Sequence, residues 1–250
     1  MKRPIFAANW KMHLGPEAAR GYMKTFLARL PPLDDREAWF FPAAVALHTV
    51  AETVRGRDDL SVGAQNVHWE EKGAFTGEVS APMILDAGAT AALVGHSERR
   101  HVFGETDAET GRKVRSLLAH GLTPMLCVGE TLEQREAGVT LSVVGRQLGV
   151  LEDLEARALA RVVIAYEPVW AIGTGKTATP ADAVEVHAFI RDFMGMEGAD
   201  PGQTRILYGG SVKPDNIADL VDETEIDGVL VGGASLDPVT WATMVQTPLD

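Results

Sequence analysis

A chain of 250 residues has room for one large α/β barrel or two ordinary domains, and is long enough to bury roughly three quarters of the surface its unfolded form exposes. Its 46% hydrophobic and 23% charged residues are those of an ordinary globular protein. The formal charge of −12 argues against a nucleic-acid partner or an anionic membrane surface, yet leaves room for a small anionic substrate, because salt screens exposed charges beyond about 8 Å.

The N-terminus, Met1-Lys2-Arg3-Pro4-Ile5-Phe6, enters strand-like sequence at once, with no long apolar segment and no cleavage pattern, so a cytoplasmic protein with no membrane partner is expected. A first apolar run at 5–8 leads into Asn9-Trp10-Lys11-Met12-His13, and an amphipathic stretch follows at 16–30. Runs at 39–41 and 60–64 come next, then a segment at 65–79 that is long for a βα loop and carries Trp69 and Phe75. The run at 91–94 precedes His96, and a helical pattern covers 107–120. The run at 123–128 contains Cys127, the chain's single cysteine, which excludes an internal disulfide and reads as a small buried hydrophobe. A helical pattern at 140–159 is followed by the run at 162–166, which stops at Glu167. A helix over 180–194 opens with a Thr179 cap and Pro180 at its first position. The last two runs, 205–208 and 228–231, end in Gly209-Gly210-Ser211 and Gly232-Gly233.

Strand and helix thus alternate without a linker, which implies parallel strands with crossover helices, and eight such units in this length predict a single (β/α)₈ barrel domain over 1–250, the TIM barrel. A doubly wound open sheet is the alternative. Its dinucleotide-binding form needs a glycine-rich turn after the first strand, where Asn9 to His13 stand instead.

In a barrel of parallel strands, Asn9, Lys11, His96, Glu167, Ser211, Gly232 and Gly233 all emerge at one rim, where active sites of this architecture are built. Glycines after strands seven and eight suit a phosphate site, since missing side chains let backbone N–H groups approach an anion. Pro168 biases Glu167 away from helix, and the loop beyond it mixes the apolar Trp170-Ala171-Ile172 with Gly173 and Gly175, as a lid does. Gly173-Thr174-Gly175-Lys176-Thr177 resembles the end of a P-loop, but that motif requires glycine where Trp170 stands. The histidines other than His96 form no recognisable metal-ligand set, and His96 and His101 are five apart and cannot share one helix face.

Seven blocks, taken together, are similar to the triosephosphate isomerase family in its own order: Ala8-Asn9-Trp10-Lys11-Met12, Ala64-Gln65-Asn66, Phe75-Thr76-Gly77-Glu78-Val79-Ser80, Val94-Gly95-His96-Ser97-Glu98-Arg99-Arg100, the stretch from Val163 to Ala178, Tyr208-Gly209-Gly210-Ser211-Val212, and Val231-Gly232-Gly233-Ala234-Ser235-Leu236. Departures lie mainly at 30–36 and 52–59, away from these blocks. The resemblance implies interconversion of dihydroxyacetone phosphate and D-glyceraldehyde 3-phosphate in glycolysis and gluconeogenesis. Such a reaction moves a proton between adjacent carbons through an enediolate and needs no cofactor or metal.

On that reading Glu167 is the base, because its two oxygens can serve both carbons. His96 is the electrophile, used in this family as a neutral imidazole beside a helix N-terminus. Lys11 offsets the negative charge and binds substrate, Asn9 orients both Lys11 and the substrate, and Gly173, Ser211, Gly232 and Gly233 bind the phosphate end. Glu98 is expected to pair with Lys11. The resemblance also implies a homodimer in which the 65–79 segment docks beside Asn9 and Lys11 of a second subunit. A reading from a different class is a phosphate-binding barrel that has lost catalysis and serves as a binding or scaffold protein.

Overall fold

The computed structural model describes residues 2–171 and 178–249. Its strands are β1 (Ile5–Asn9), β2 (Glu37–Phe41), β3 (Leu60–Ala64), β4 (Ala91–Val94), β5 (Thr123–Val128), β6 (Val163–Tyr166), β7 (Arg205–Tyr208) and β8 (Gly228–Val231). Each pairs in parallel with the next, and β8 returns to β1 with Ile5 opposite Gly228 and Ala8 opposite Val231, closing an eight-stranded barrel with helices around it. The seam admits only glycine at 228. Its φ is +137°, and an added Cβ would lie 2.0 Å from the Ile5 carbonyl oxygen.

Alternation along each strand divides the apolar residues between two cores. Ile5 and Ala7 of β1 point into the barrel with Phe41, Leu93, Met125 and Cys127, while Phe6 and Ala8 point outward against the helices. The interior is filled by side chains of matched size. A Cβ on Gly63 would lie 2.3 Å from the Phe41 ring, so the large residue on β2 takes the space left by the small one on β3. Free Cys127 is buried in this interior. No helix among the described residues is long and apolar enough to cross a membrane.

The helix Pro180–Met196 starts where the sequence signals it. Thr179 accepts from the Asp182 N–H at 3.2 Å while the Asp182 carboxylate accepts from the Thr179 N–H at 2.9 Å, a reciprocal cap. The expected helix over 140–159 is instead three pieces: Thr140–Leu148, a 3₁₀ turn at Gly149–Leu151 and a short helix Ala156–Leu159. Asp153 breaks it by entering the left-handed region at φ +65°. The apolar pattern runs through the break because Leu148, Leu151 and Leu159 all pack into the same outer core.

Within Pro180–Met196, His187 is fully buried, edge-on to Tyr166, and its Nδ1 lies 3.0 Å from the Glu225 carbonyl oxygen. Burial, opposed by that carbonyl, lowers its pKa to about 4. An unfolded chain takes up this proton near pH 6.5 and the folded one does not, so stability is complete above about 6.5 and falls as pH drops toward about 4. The loss by pH 5 is expected to be about 2 kcal/mol. Urea unfolding at pH 7 and 5, at fixed protein concentration, should show that increment in the native protein and not in His187→Gln; equal acid sensitivity of the two would refute it.

Candidate active site

The strand ends bring the sequence-identified residues onto one rim, around a cavity of about 380 Å³ lined by Asn9, Lys11, His96, Glu167, Ser211 and the glycines 209, 210, 232 and 233, with Lys213 at its edge. Asn9 ends β1 with 4% exposure, and its Oδ1 accepts the Lys11 N–H at 3.0 Å. That bond helps hold Lys11 at φ +50°, a conformation a lysine seldom adopts. Gln65 fixes the other side of the same residue, its Nε2 donating to the carbonyl oxygens of Lys11 at 2.7 Å and Phe41 at 2.9 Å. Lys11 Nζ meets the Glu98 carboxylate at 2.7 Å, as expected.

His96 caps the short helix Ser97–His101, its Nδ1 accepting the Glu98 N–H at 3.2 Å. Nδ1 therefore presents a lone pair, and the ring proton sits on Nε2, the nitrogen 3.0 Å from Glu167 Oε1. The other Glu167 oxygen accepts the Ser97 N–H at 2.8 Å. Burial pushes the His96 pKa down and the Glu167 carboxylate pulls it up, with a net rise; burial pushes Glu167 up and the contacts with His96 and the Ser97 N–H hold it below the usual carboxylate range. These shifts belong to the paired state. Were the carboxylate to turn toward a ligand, the largest influence raising His96 would leave, and burial with Lys11 would favour the neutral ring.

Close approach explains the glycines. A Cβ on Gly209 would lie 2.9 Å from Glu167 Cγ, one on Gly210 would lie 2.1 Å from the Tyr208 hydroxyl, and one on Gly232 would crowd Lys11 Cε at 3.3 Å. A 3₁₀ turn, Gly233–Leu236, follows β8, and the N–H groups of Ser211 and Gly233 enter no loop or cap hydrogen bond among the described residues. The phosphate-binding expectation for Gly173 and the lid expectation for 172–177 lie outside the described residues. Among the described residues, no group of histidine, cysteine and carboxylate side chains is arranged to hold a metal ion.

Several supporting residues escape sequence reasoning. Gly129 follows β5, and a Cβ there would lie 1.8 Å from the Glu167 carbonyl oxygen, so the backbone of Glu167 rests directly on it. Beside it, the fully buried Glu130 accepts from the Tyr166 hydroxyl and, at 2.8 Å, from the Trp170 indole. The signal was available, since Gly129-Glu130 occupies the same rim position after β5 that the other site residues occupy after their strands. Gln65 stands at the same rim position after β3 and within a block similar to the family, but its particular role, a contact with a backbone 54 positions away, leaves no local signal.

A parallel eight-stranded barrel thus carries a buried carboxylate, an imidazole, a lysine and two glycine turns at one rim, the rim on which enzymes of this architecture build their active sites. The chain matches the family model described as triosephosphate isomerase over residues 4–247. It is 52% identical over 248 residues to the triosephosphate isomerase of Moorella thermoacetica, covering 98% of this chain and 99% of that protein. It is 51% identical over 249 residues to that of Roseiflexus sp. (strain RS-1), with 98% of each chain covered, and 45% identical over 246 residues to that of Aquifex aeolicus, with 98% and 99% covered. The chain belongs to the triosephosphate isomerase family and is an aldose–ketose isomerase.

Proposed function

We propose that the chain interconverts dihydroxyacetone phosphate and D-glyceraldehyde 3-phosphate in the cytoplasm, in the glycolytic and gluconeogenic direction alike. The observation that carries this reading is the His96 tautomer. With Nδ1 engaged by the Glu98 N–H, Nε2–H is left to donate to a substrate oxygen, next to a buried carboxylate. Substrate entering the cavity would draw Glu167 off Nε2 and the Ser97 N–H, freeing one oxygen to take a proton from carbon and the ring to polarise the carbonyl. Glu167 then returns the proton to the neighbouring carbon while His96 serves the two enediolate oxygens. Lys11 offsets the negative charge that develops, Asn9 holds Lys11 in its strained turn, and Ser211, Gly232 and Gly233 receive the phosphate with backbone N–H groups. These protein groups supply every proton movement the reaction requires, so the proposal includes no cofactor.

A coupled assay on D-glyceraldehyde 3-phosphate tests the reading against the retired-scaffold alternative. Turnover competitively inhibited by inorganic phosphate is expected; phosphate binding without turnover would favour the scaffold.

The same reading includes a homodimer. A second cavity, about 220 Å³, shares Asn9, Lys11 and His96 with the first and is lined also by Met12, Gln65, Glu98, Arg99 and Phe103. Met12 is 94% exposed and Phe103 67%, while the 65–79 segment carries Phe75 and Thr76 at the surface. Large apolar side chains bare beside catalytic candidates call for cover, and the segment of a two-fold-related copy fits that need. Thr76→Arg should bury an unpaired charge in this contact and give weakly active monomers by sedimentation velocity. A variant that sediments as the native protein does and keeps full activity would contradict the assembly.

A further inference from the structure

Lys213 has not entered the chemistry so far, although it lines the larger cavity beside Ser211 and Val212. It is exposed, and its ammonium makes no hydrogen bond or ion pair with any described residue. Its backbone is anchored. Asn216 accepts the Lys213 N–H at 2.8 Å through Oδ1 and donates to the Ser211 carbonyl oxygen at 3.0 Å through Nδ2, clasping the turn that carries both residues. The lysine thus springs from a fixed base two positions beyond a proposed phosphate ligand.

Charge at the site makes this position informative. Lys11 is neutralised by Glu98 at 2.7 Å, and Glu167 adds a second carboxylate on the cavity floor. Without Lys213, and with His96 neutral, a phosphate monoester would meet two carboxylates against one ammonium, on a chain that carries −12 overall. A monoester is close to a dianion at pH 7. The geometry points to Lys213 as the capture residue of the isomerase: an uncompensated cation at the phosphate end that draws the dianion in and discriminates against triose lacking phosphate. The inference rests on the phosphate placement proposed above. Lys213 touches no reacting atom and acts on entry and on selection for phosphate.

The test is kcat/KM for D-glyceraldehyde 3-phosphate between 10 and 200 mM salt, for the native enzyme, Lys213→Gln, Lys213→Arg and, as a remote change of equal charge, Lys24→Gln in the helix Pro16–Leu27. A unit charge held close to a dianion in water corresponds to about a fivefold effect at low salt, largely screened at 200 mM. Lys213→Gln should therefore lower kcat/KM about fivefold at 10 mM through KM and converge on the native value at high salt. Lys213→Arg should restore the native salt dependence, and Lys24→Gln should retain it. Unphosphorylated glyceraldehyde should be turned over with the same kcat/KM by the native enzyme and Lys213→Gln. A salt dependence unchanged in Lys213→Gln, or an equal loss with glyceraldehyde, overturns the assignment. Failure of inorganic phosphate to compete in the native enzyme would instead overturn the phosphate placement itself, independently of any Lys213 variant.

Discussion

Glu167→Gln is expected to lower kcat by roughly 10²–10⁴, with KM changed by no more than severalfold. The amide keeps the shape of the carboxylate and can still accept the Ser97 N–H through its carbonyl oxygen, a bond of 2.8 Å in the native site. What it cannot do is take a proton from carbon. Glu167 is 3% exposed and rests on Gly129 and Gly209, and no second carboxylate stands among the described residues lining the cavity to act in its stead. Steady-state kinetics in both directions would read this; a kcat near the native one would remove Glu167 from the base role. A rise in KM with kcat unchanged would assign it to binding.

The second large effect is structural and reaches the site through one backbone bond. Glu105 is buried, accepting the Gly95 N–H at 3.0 Å, Arg99 Nε at 3.1 Å and Lys113 Nζ at 2.7 Å. Lys113 is itself buried and donates also to Asn66 Oδ1 at 2.8 Å, which ties the start of the 65–79 segment to the same cluster. Glu105→Ala would leave the Lys113 ammonium and the Gly95 N–H buried with a partner missing, at a cost of about 3–5 kcal/mol. Glu105→Gln keeps the acceptor and should lose less. Gly95 immediately precedes His96 at φ +68°, so the alanine variant should also lose activity at temperatures where it remains folded. Urea midpoints of the three proteins provide the check. A loss below about 1 kcal/mol for Glu105→Ala would mean that water reaches the cluster and that the pair is not acting as a buried one.

How much of this was legible in the sequence follows from the range over which each interaction acts. The strands were visible because a barrel strand buried on both faces is a continuous apolar run, and all eight runs overlap the observed strands. Thr179 and Pro180 announced a helix start because capping is decided within four residues. The break inside 140–159 was hidden because helical propensity and apolar spacing both continue through it, while the left-handed turn at Asp153 leaves no mark in composition. At the site, residue types at strand ends were readable once the barrel was inferred. Their partners were less so. Glu98 and Lys11 are 87 positions apart and became a pair only through family resemblance, and Gln65, which braces the backbone of Lys11, looked like part of an interface loop. Gly209 reads locally as a tight turn, whereas its neighbour in space is the side chain of Glu167. Residues that act through their own spacing are written in the sequence; those that act by where the barrel closes must be seen in the fold.

The central claim is that one carboxylate moves a proton between adjacent carbons through an enediolate. Isomerisation of D-glyceraldehyde 3-phosphate in D₂O, with the dihydroxyacetone phosphate analysed by NMR, tests it most directly. The account predicts product carrying deuterium at C1, because a proton held on Glu167 can exchange with solvent before it is returned, and predicts that Glu167→Gln forms product, deuterated or protiated, at least about 10²-fold more slowly. Product that retains the substrate hydrogen completely, with no deuterium at C1, would indicate direct hydride movement and contradict the account, as would deuterium entering at the native rate in Glu167→Gln.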